Sequence, residues 1–260
     1  MKINKEKTMT TYPPMEEGQK VLSGPIGRIV ERLRNGKETR IAIQKDGRLS
    51  AVAWELLATC LAAADITLSL ETERNARGRK LIVAPVALPN LKIILVRQAD
   101  IPWYVASGNA DFGVAGEDCA IEAGVEELVS ERLGGAESKL VVQVAESSNI
   151  TRIEDLNGKS VATSYPRSFI EYCARNGVAP RNIIRLSGSV EAAIGIGAVD
   201  AVVDLVESGE TMRANGLKPL AEVRRFGAVL LENDIARKTL KSEEIPSPFF
   251  APIPESALQQ

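Results

Sequence analysis

From residue 40 onward, short apolar runs alternate with longer amphipathic ones. RIAIQ (40–44), KLIVAP (80–85), KIILVR (92–97), ADFGVAG (110–116), LVVQVAE (140–146), SVATS (160–164), NIIRL (182–186) and AVVDLV (201–206) are short and largely apolar. Runs of this kind read as buried strands. Between them, VAWELLATCLAAA within 50–64, IPWYVASG (101–108), PRSFIEYCARNG (166–177) and SVEAAIGIGA (189–198) read as helices. Asn176-Gly177 and Gly197 mark two of the stops. Alternation at this rhythm predicts an α/β architecture with largely parallel sheets.

The ends differ from this pattern. Residues 1 to 22 are polar and broken by Pro13-Pro14, which predicts a flexible tail. In IGRIVERLRNGK, Ile26, Ile29, Val30 and Leu33 recur at helical spacing, with Pro25 suited to the first turn and Gly36 to the stop. One amphipathic helix that docks on another surface is expected there. LVSERLGGAESK (128–139) is polar, carries Gly134-Gly135, and separates two α/β sets of similar size. The division this predicts is an N-terminal extension (1–38), a first lobe (39–133 with 218–260) and a second lobe (134–217), with a cleft between the lobes. Ligands of such sheets sit beyond the C-terminal ends of strands, where the βα turns converge.

Composition narrows the chemistry. The net charge of −2 leaves no basic footprint for nucleic acid. The three cysteines, Cys60, Cys119 and Cys173, are widely spaced and read as small buried hydrophobes. The absence of histidine removes the commonest zinc and iron ligand, so no metal-ligating set is expected from the side chains. Acid–base work would fall to carboxylates, Lys, Tyr or the substrate. The charged start lacks the apolar core of a secretory signal, and no window reaches the length of a membrane span. The expectation is a cytoplasmic protein with reduced thiols.

Three strand ends carry charge on the expected binding edge. Lys45-Asp46-Gly47-Arg48 follows the first strand, Arg97 and Asp100 follow KIILV, and Glu207-Ser208-Gly209-Glu210-Thr211 follows AVVDLV. The last of these suits phosphate, because a Ser-Gly pair leaves backbone N–H groups unobstructed and two hydroxyls stand beside them. Asp204 and Glu207 are placed to accept from ribose hydroxyls. Read alone, the same loop is equally a strand followed by a helix with Ser208 as its N-cap.

Four segments carry a more specific signal: RIAIQKDGRLS (40–50), VRQADIPWYVASGNADFGVAGED (96–118), GKSVATSYP (158–166) and LSGSVEAAIGIGAVDAVVDLVESGETMRANGL (186–217). In order and spacing they resemble the ATP phosphoribosyltransferase family, which opens histidine biosynthesis. The resemblance implies transfer of 5-phosphoribosyl from 5-phosphoribosyl 1-diphosphate (PRPP) to N1 of ATP, with release of pyrophosphate and with Mg²⁺. It also implies a two-lobed fold similar to type II periplasmic binding proteins, with the active site in the inter-lobe cleft. By the same resemblance, Glu207, Ser208, Gly209, Glu210 and Thr211 would hold the 5-phosphate of PRPP, with Asp204 and Glu207 on the ribose. Arg97, Arg79 and Lys45 would be the catalytic cations, and Arg48, Arg97, Arg79 and Ser187 would meet ATP and pyrophosphate. Arg74 is a rival for the place of Arg79. Trp103 and Tyr104 read as core packing of a short helix, with stacking on adenine the alternative.

The chain departs from the family at both ends. After Glu232 only a short stretch follows, NDIARKTLKSEEI and then PSPFFAPIPES (246–256), whose prolines cannot continue a helix. The resemblance is therefore to the short form of the enzyme, which implies a homo-oligomer and a regulatory subunit similar to histidyl-tRNA synthetase. The extra N-terminal helix is expected to fill a groove that the family covers from the other end. Ala136-Glu137-Ser138-Lys139 replaces a Cys-Arg pair of the family after the glycines. The alternative is a non-catalytic, two-lobed ligand-binding or regulatory paralogue.

Overall fold

The computed structural model describes residues 24–69 and 80–233. The N-terminal tail, Arg74, Arg79 and the segment after Asn233 lie outside the described residues. Eleven strands form two sheets among the described residues. The first sheet has β1 (Thr39–Gln44), β2 (Ile82–Val83), β3 (Leu91–Val96), β4 (Phe112–Gly116), β5 (Val129–Arg132) and β11 (Ala228–Glu232) in the order β2-β3-β1-β4-β11-β5. The second has β6 (Ser138–Ala145), β7 (Ser160–Thr163), β8 (Asn182–Arg185), β9 (Ala201–Val206) and β10 (Leu217–Phe226) in the order β10-β6-β9-β7-β8.

Each sheet is packed on both faces. In β1, Ile41 and Ile43 point to the side carrying α1 (Gly24–Arg34) and α2 (Arg48–Ala63), where they join Ile29, Leu33, Leu57 and Cys60. Ala42 points the other way, toward Ile101 and Val105 of α3 (Ile101–Ala106) and Ala120 of α4 (Glu117–Ala123). That is the period of two expected of a strand with two buried faces. In the second lobe Val142, Val161 and Val203 pack with Phe169 and Cys173 of α5 (Pro166–Asn176). Ala162 and Val202, on the opposite face, pack with Val190 of α6 (Val190–Gly195) and Met212 of α7 (Glu210–Ala214).

The sheets are mixed, which corrects the expectation of largely parallel ones. β1, β3 and β4 are parallel, as are β7, β8 and β9. β2, β11 and β5 add antiparallel pairs to the first sheet, and β6 and β10 do so in the second. β5 with β11 and β6 with β10 are antiparallel because the chain leaves the first lobe along one strand and returns beside it along the other; β2 is antiparallel to β3 within the first lobe. The stretch 128–139, expected to be a linker, holds β5 and the start of β6. Among the described residues, 133–137 connect β5 to β6 and Gly227 connects β10 to β11, and these segments join one sheet to the other. These two crossings are bonded together: Ala228 N donates to Gly135 O at 3.2 Å and Leu133 N to Ala228 O at 2.9 Å.

The second-lobe boundary moves accordingly. β10 lies in the second sheet, whereas the sequence division at 217/218 assigned it to the first lobe. Its LKPLAEVRRF pattern is obscured because it is an edge strand, charged on its open side, with Pro219 at a register shift. KLIVAP shortens to β2, and α4, β5, β10 and β11 are elements the hydrophobic pattern did not announce. The amphipathic helix α1 packs on the first lobe, with Ile29 and Val30 fully buried. Arg28 forms a bidentate pair with the buried carboxylate of Glu232, and Arg32 meets Asp111 at 2.9 Å.

Candidate functional site

Three adjoining cavities lie at the cleft, two between the sheets and one beside them within the second lobe. The first, of about 330 Å³, is walled by Gly47, Arg48, Gln98 and Asp118 of one lobe and by Leu205 and Glu207 of the other. The second, of about 520 Å³, shares Gln98, Asp118 and Leu205 with it and extends to Ser164, Tyr165, Arg185 and Ser187. The third, of about 240 Å³, lies under the loop after β9 and is walled by Gln143, Glu191 and Ser208 through Thr211.

The loop is built from its end of β9. Gly209 caps α7 in the left-handed conformation, with φ of 74°, a region that costs a side chain about 1 kcal/mol or more. A Cβ there would also stand 2.9 Å from Arg213 Nη1. The hydroxyl of Ser208 accepts from Glu210 N at 3.3 Å, and Arg213 Nη2 donates to Ser208 O at 3.1 Å. Ser208 therefore braces the turn, while Gly209 occupies the N-cap position. α7 has five residues, so it contributes little macrodipole. The anion-attracting groups of this loop are its amides and hydroxyls, with Arg213 folded alongside.

Arg48, the first residue of α2, reaches across the cleft to pair with the carboxylate of Glu207. Asp204 sits three residues upstream of Glu207, half-buried, and burial pushes its carboxyl up to about 6, with Glu191 adding to the rise and the Leu205 amide opposing it. Ser187 lines the second cavity, and Gly188 N beside it donates to Ser164 Oγ at 3.0 Å. Arg48, Glu207, Ser208, Gly209, Glu210, Thr211 and Ser187 are thus brought to one cleft. Lys45 and Arg97 are exposed at the same strand edge but line none of the three cavities. Arg97 has no ion-pair partner among the described residues. Trp103 and Tyr104 meet edge to face, ring centroids 5.0 Å apart, with Tyr104 packed against the first-lobe core.

The cleft also contains acids that the pattern did not single out. Asp118 is only 2% exposed, and burial raises its pKa above the usual carboxylate range. Gln98 Nε2 donates to both of its oxygens at 3.4 Å. A Cβ on Gly116 would fall 2.0 Å from Asp118 Oδ1, so the glycine at the end of β4 is what admits this carboxylate. Tyr165 faces it from the second lobe, and its hydroxyl is pushed far up by burial first and then by Asp118 and Asp204. Asp118 had a legible signal, an acid in the turn after a strand. Tyr165 had none beyond its place before α5.

Across the same cleft, Glu122 of α4 caps α5 of the other lobe. Its carboxylate accepts from Arg167 N at 3.0 Å, from Ser168 N at 2.9 Å and from Ser168 Oγ at 2.7 Å. Among the described residues no group of three His, Cys, Asp or Glu stands ready to hold a metal ion, and no helix is long and apolar enough to cross a membrane.

Comparison with known proteins connects this cleft to one family. The model of the family described as HisG, ATP phosphoribosyltransferase, matches residues 97–247. An ATP phosphoribosyltransferase of Cytophaga hutchinsonii is 38% identical over 191 residues, covering 74% of this chain and 63% of that protein. One from Maricaulis maris is 38% identical over 204 residues, covering 76% of this chain and 65% of that protein. The chain therefore spans somewhat under two thirds of the length of these curated relatives. Among solved structures, the ATP phosphoribosyl transferase (HisG:HisZ) complex from Thermotoga maritima aligns with a TM-score of 0.59 and 26% identity, covering 77% of this chain and 90% of that chain.

Proposed function

The chain belongs to the ATP phosphoribosyltransferase family, and we propose that it transfers the 5-phosphoribosyl group of PRPP to N1 of ATP, releasing pyrophosphate, as the first step of histidine biosynthesis. The observation that carries the reading is the pairing of Arg48 with Glu207 across the cleft, at the mouth of the loop 207–211. It sets a phosphate-type loop on one lobe directly opposite a cation on the other.

The chemistry suits a chain without histidine. Adenine N1 carries no proton that must leave before it attacks C1 of the ribose, and pyrophosphate departs as a stabilised anion. The protein has to hold the two substrates in line and compensate departing negative charge. The amides and hydroxyls of Ser208, Gly209 and Thr211 take the 5-phosphate, and the carboxylates of Asp204 and Glu207 accept from the ribose hydroxyls. Arg48, Arg97 and Lys45 compensate the pyrophosphate and triphosphate, and Ser187 contributes a hydroxyl from the second lobe. Arg79 takes the same role from outside the described residues. Bound together with the diphosphate, Mg²⁺ would add to this compensation of negative charge and would ask no more than one or two carboxylates of the chain.

Binding of PRPP requires Arg48 and Glu207 to exchange partners, the cation turning to phosphate and the carboxylate to ribose. We further propose that the chain self-associates and works with a regulatory subunit similar to histidyl-tRNA synthetase, in the cytoplasm. The solved HisG:HisZ complex supports a partner subunit. Incubation with ATP, PRPP and Mg²⁺, with and without such a subunit, followed by detection of the ATP adduct and pyrophosphate, tests the function. Formation of both products is expected. Their absence under both conditions would favour a non-catalytic ligand-binding role.

A further inference from the structure

The loop cavity has an unusual floor. β6 reads LVVQVA along its buried part, and the one polar residue in that run, Gln143, is only 2% exposed. It lies opposite Val202 of β9, while Val141 lies opposite Asp204. Residues two apart on a strand share a face, so Gln143 and Asp204 stand on the same side of the second sheet. That side is covered by Val190, Val202 and Met212, an apolar layer in which glutamine is out of character. Its Oε1 is buried and has no hydrogen-bond partner. A buried amide left unpaired costs on the order of 1–3 kcal/mol, and hydrogen-bonded partners are the rule for such groups. The same side chain lines the cavity beneath Ser208, Gly209 and Thr211.

We propose that Gln143 is a ligand-contacting, specificity-determining residue whose carboxamide hydrogen-bonds a ribose 5-phosphate group held in this cavity, its unpaired oxygen accepting from a sugar hydroxyl and its NH₂ donating to the phosphate. The inference rests on the phosphoribosyl reading of the loop and adds a residue from a different strand to it. The other side chains around this cavity that carry charge, Glu191, Glu207 and Glu210, are acids that repel a phosphate. A neutral carboxamide supplies an N–H donor there without adding to that repulsion. By turning about its last bond it can present either its NH₂ or its oxygen to the cavity, meeting phosphate with the first and a sugar hydroxyl with the second. At about 240 Å³ the space admits several water-sized groups, enough for a phosphoryl group beside the loop amides.

The test uses the full chain, ribose 5-phosphate as probe, and calorimetric titration together with thermal unfolding. Gln143→Leu keeps the volume and removes the amide. It is expected to weaken ribose 5-phosphate binding about tenfold or more while leaving the melting temperature of the unliganded protein equal or higher. The two readouts separate the proposal from a structural role, which would lower the melting temperature. Gln143→Glu, isosteric but anionic, is expected to weaken binding further and guards against a Leu variant that fails to fold. Unchanged affinity in either folded variant, beside a wild-type chain that binds, overturns the inference and leaves the family reading standing. A wild-type chain that binds neither ribose 5-phosphate nor PRPP overturns the phosphate-loop reading and the inference with it.

Discussion

The carboxylate of Glu122 in the first lobe caps the helix begun by Pro166 in the second, accepting from the amide and hydroxyl of Ser168 at 2.9 and 2.7 Å. An acid at a helix N-terminus satisfies donors that the helix itself cannot pair and complements its dipole. Here donor and acceptor belong to different lobes. The cap therefore stabilises the approach of the lobes as well as the helix. Arg167, which meets Glu126 at 3.1 Å, reinforces the same edge.

Replacing Glu122 with Ala should cost about 1 kcal/mol, a fall in melting temperature of roughly 2–4 °C for a chain of this size. Small-angle scattering should show a larger radius of gyration as the cleft opens. A variant with unchanged radius and unchanged melting temperature would show that the Glu122 cap plays no part in holding the lobes together.

Arg48 and Glu207 contrast with that cap, because their side chains are 51% and 57% exposed. Exposed pairs contribute about 0–1 kcal/mol, so Arg48→Ala should leave the melting temperature nearly unchanged. Its effect should appear in the KM for PRPP, raised about tenfold by loss of a phosphate-facing cation. Steady-state kinetics and thermal unfolding on the same preparation separate the two.

Arg97→Ala should lower kcat at least tenfold with the fold intact. The side chain is exposed at the strand edge. Unchanged steady-state kinetics would remove Arg97 from the set of charge-compensating residues.

Asp204 carries a pH dependence whose sign follows from its carboxyl being raised to about 6 in the folded protein. The folded state holds this proton more tightly than the unfolded chain, where an aspartate titrates near 4. Its stabilising contribution is complete below about pH 4 and is lost as pH rises through 6, on the order of 1–3 kcal/mol in all. Asp204→Asn should flatten this part of the stability profile and be more stable than the wild type at pH 7. Activity should run the other way: the ribose needs an ionised acceptor, so kcat/KM for PRPP should rise with pH through about 6. Urea unfolding and initial rates across pH 4.5–8 measure both.

Ile29 tests how firmly α1 belongs to the first lobe. It is fully buried in the cluster with Leu33, Leu57 and Ile41, and large-to-small changes at such positions cost about 2–5 kcal/mol. Ile29→Ala should lower the melting temperature by roughly 4–20 °C. A change below 2 °C would mean that α1 is only loosely applied to that surface.

Much of this protein was determined by its sequence because local periodicity reports local burial. β1, β3, β6, β7 and β9 are apolar over their lengths and were legible as strands, and the spacing of Ile26, Ile29, Val30 and Leu33 marked α1. The loop 207–211 announced itself by a Ser-Gly pair after such a strand. Strands with one charged or open side were hidden: β10 alternates Lys, Glu and Arg with apolar residues at a sheet edge, so its pattern resembles a solvated linker. What tertiary structure alone decided concerns pairs distant in the chain. Arg48 meets Glu207 and Glu122 meets Ser168 because the chain crosses between the lobes and folds those turns against each other, and Gln143 lies beneath Gly209 because β6 pairs with β9 inside the second lobe. Periodicity records which face of an element is buried; only the path of the chain determines which residues share a cleft.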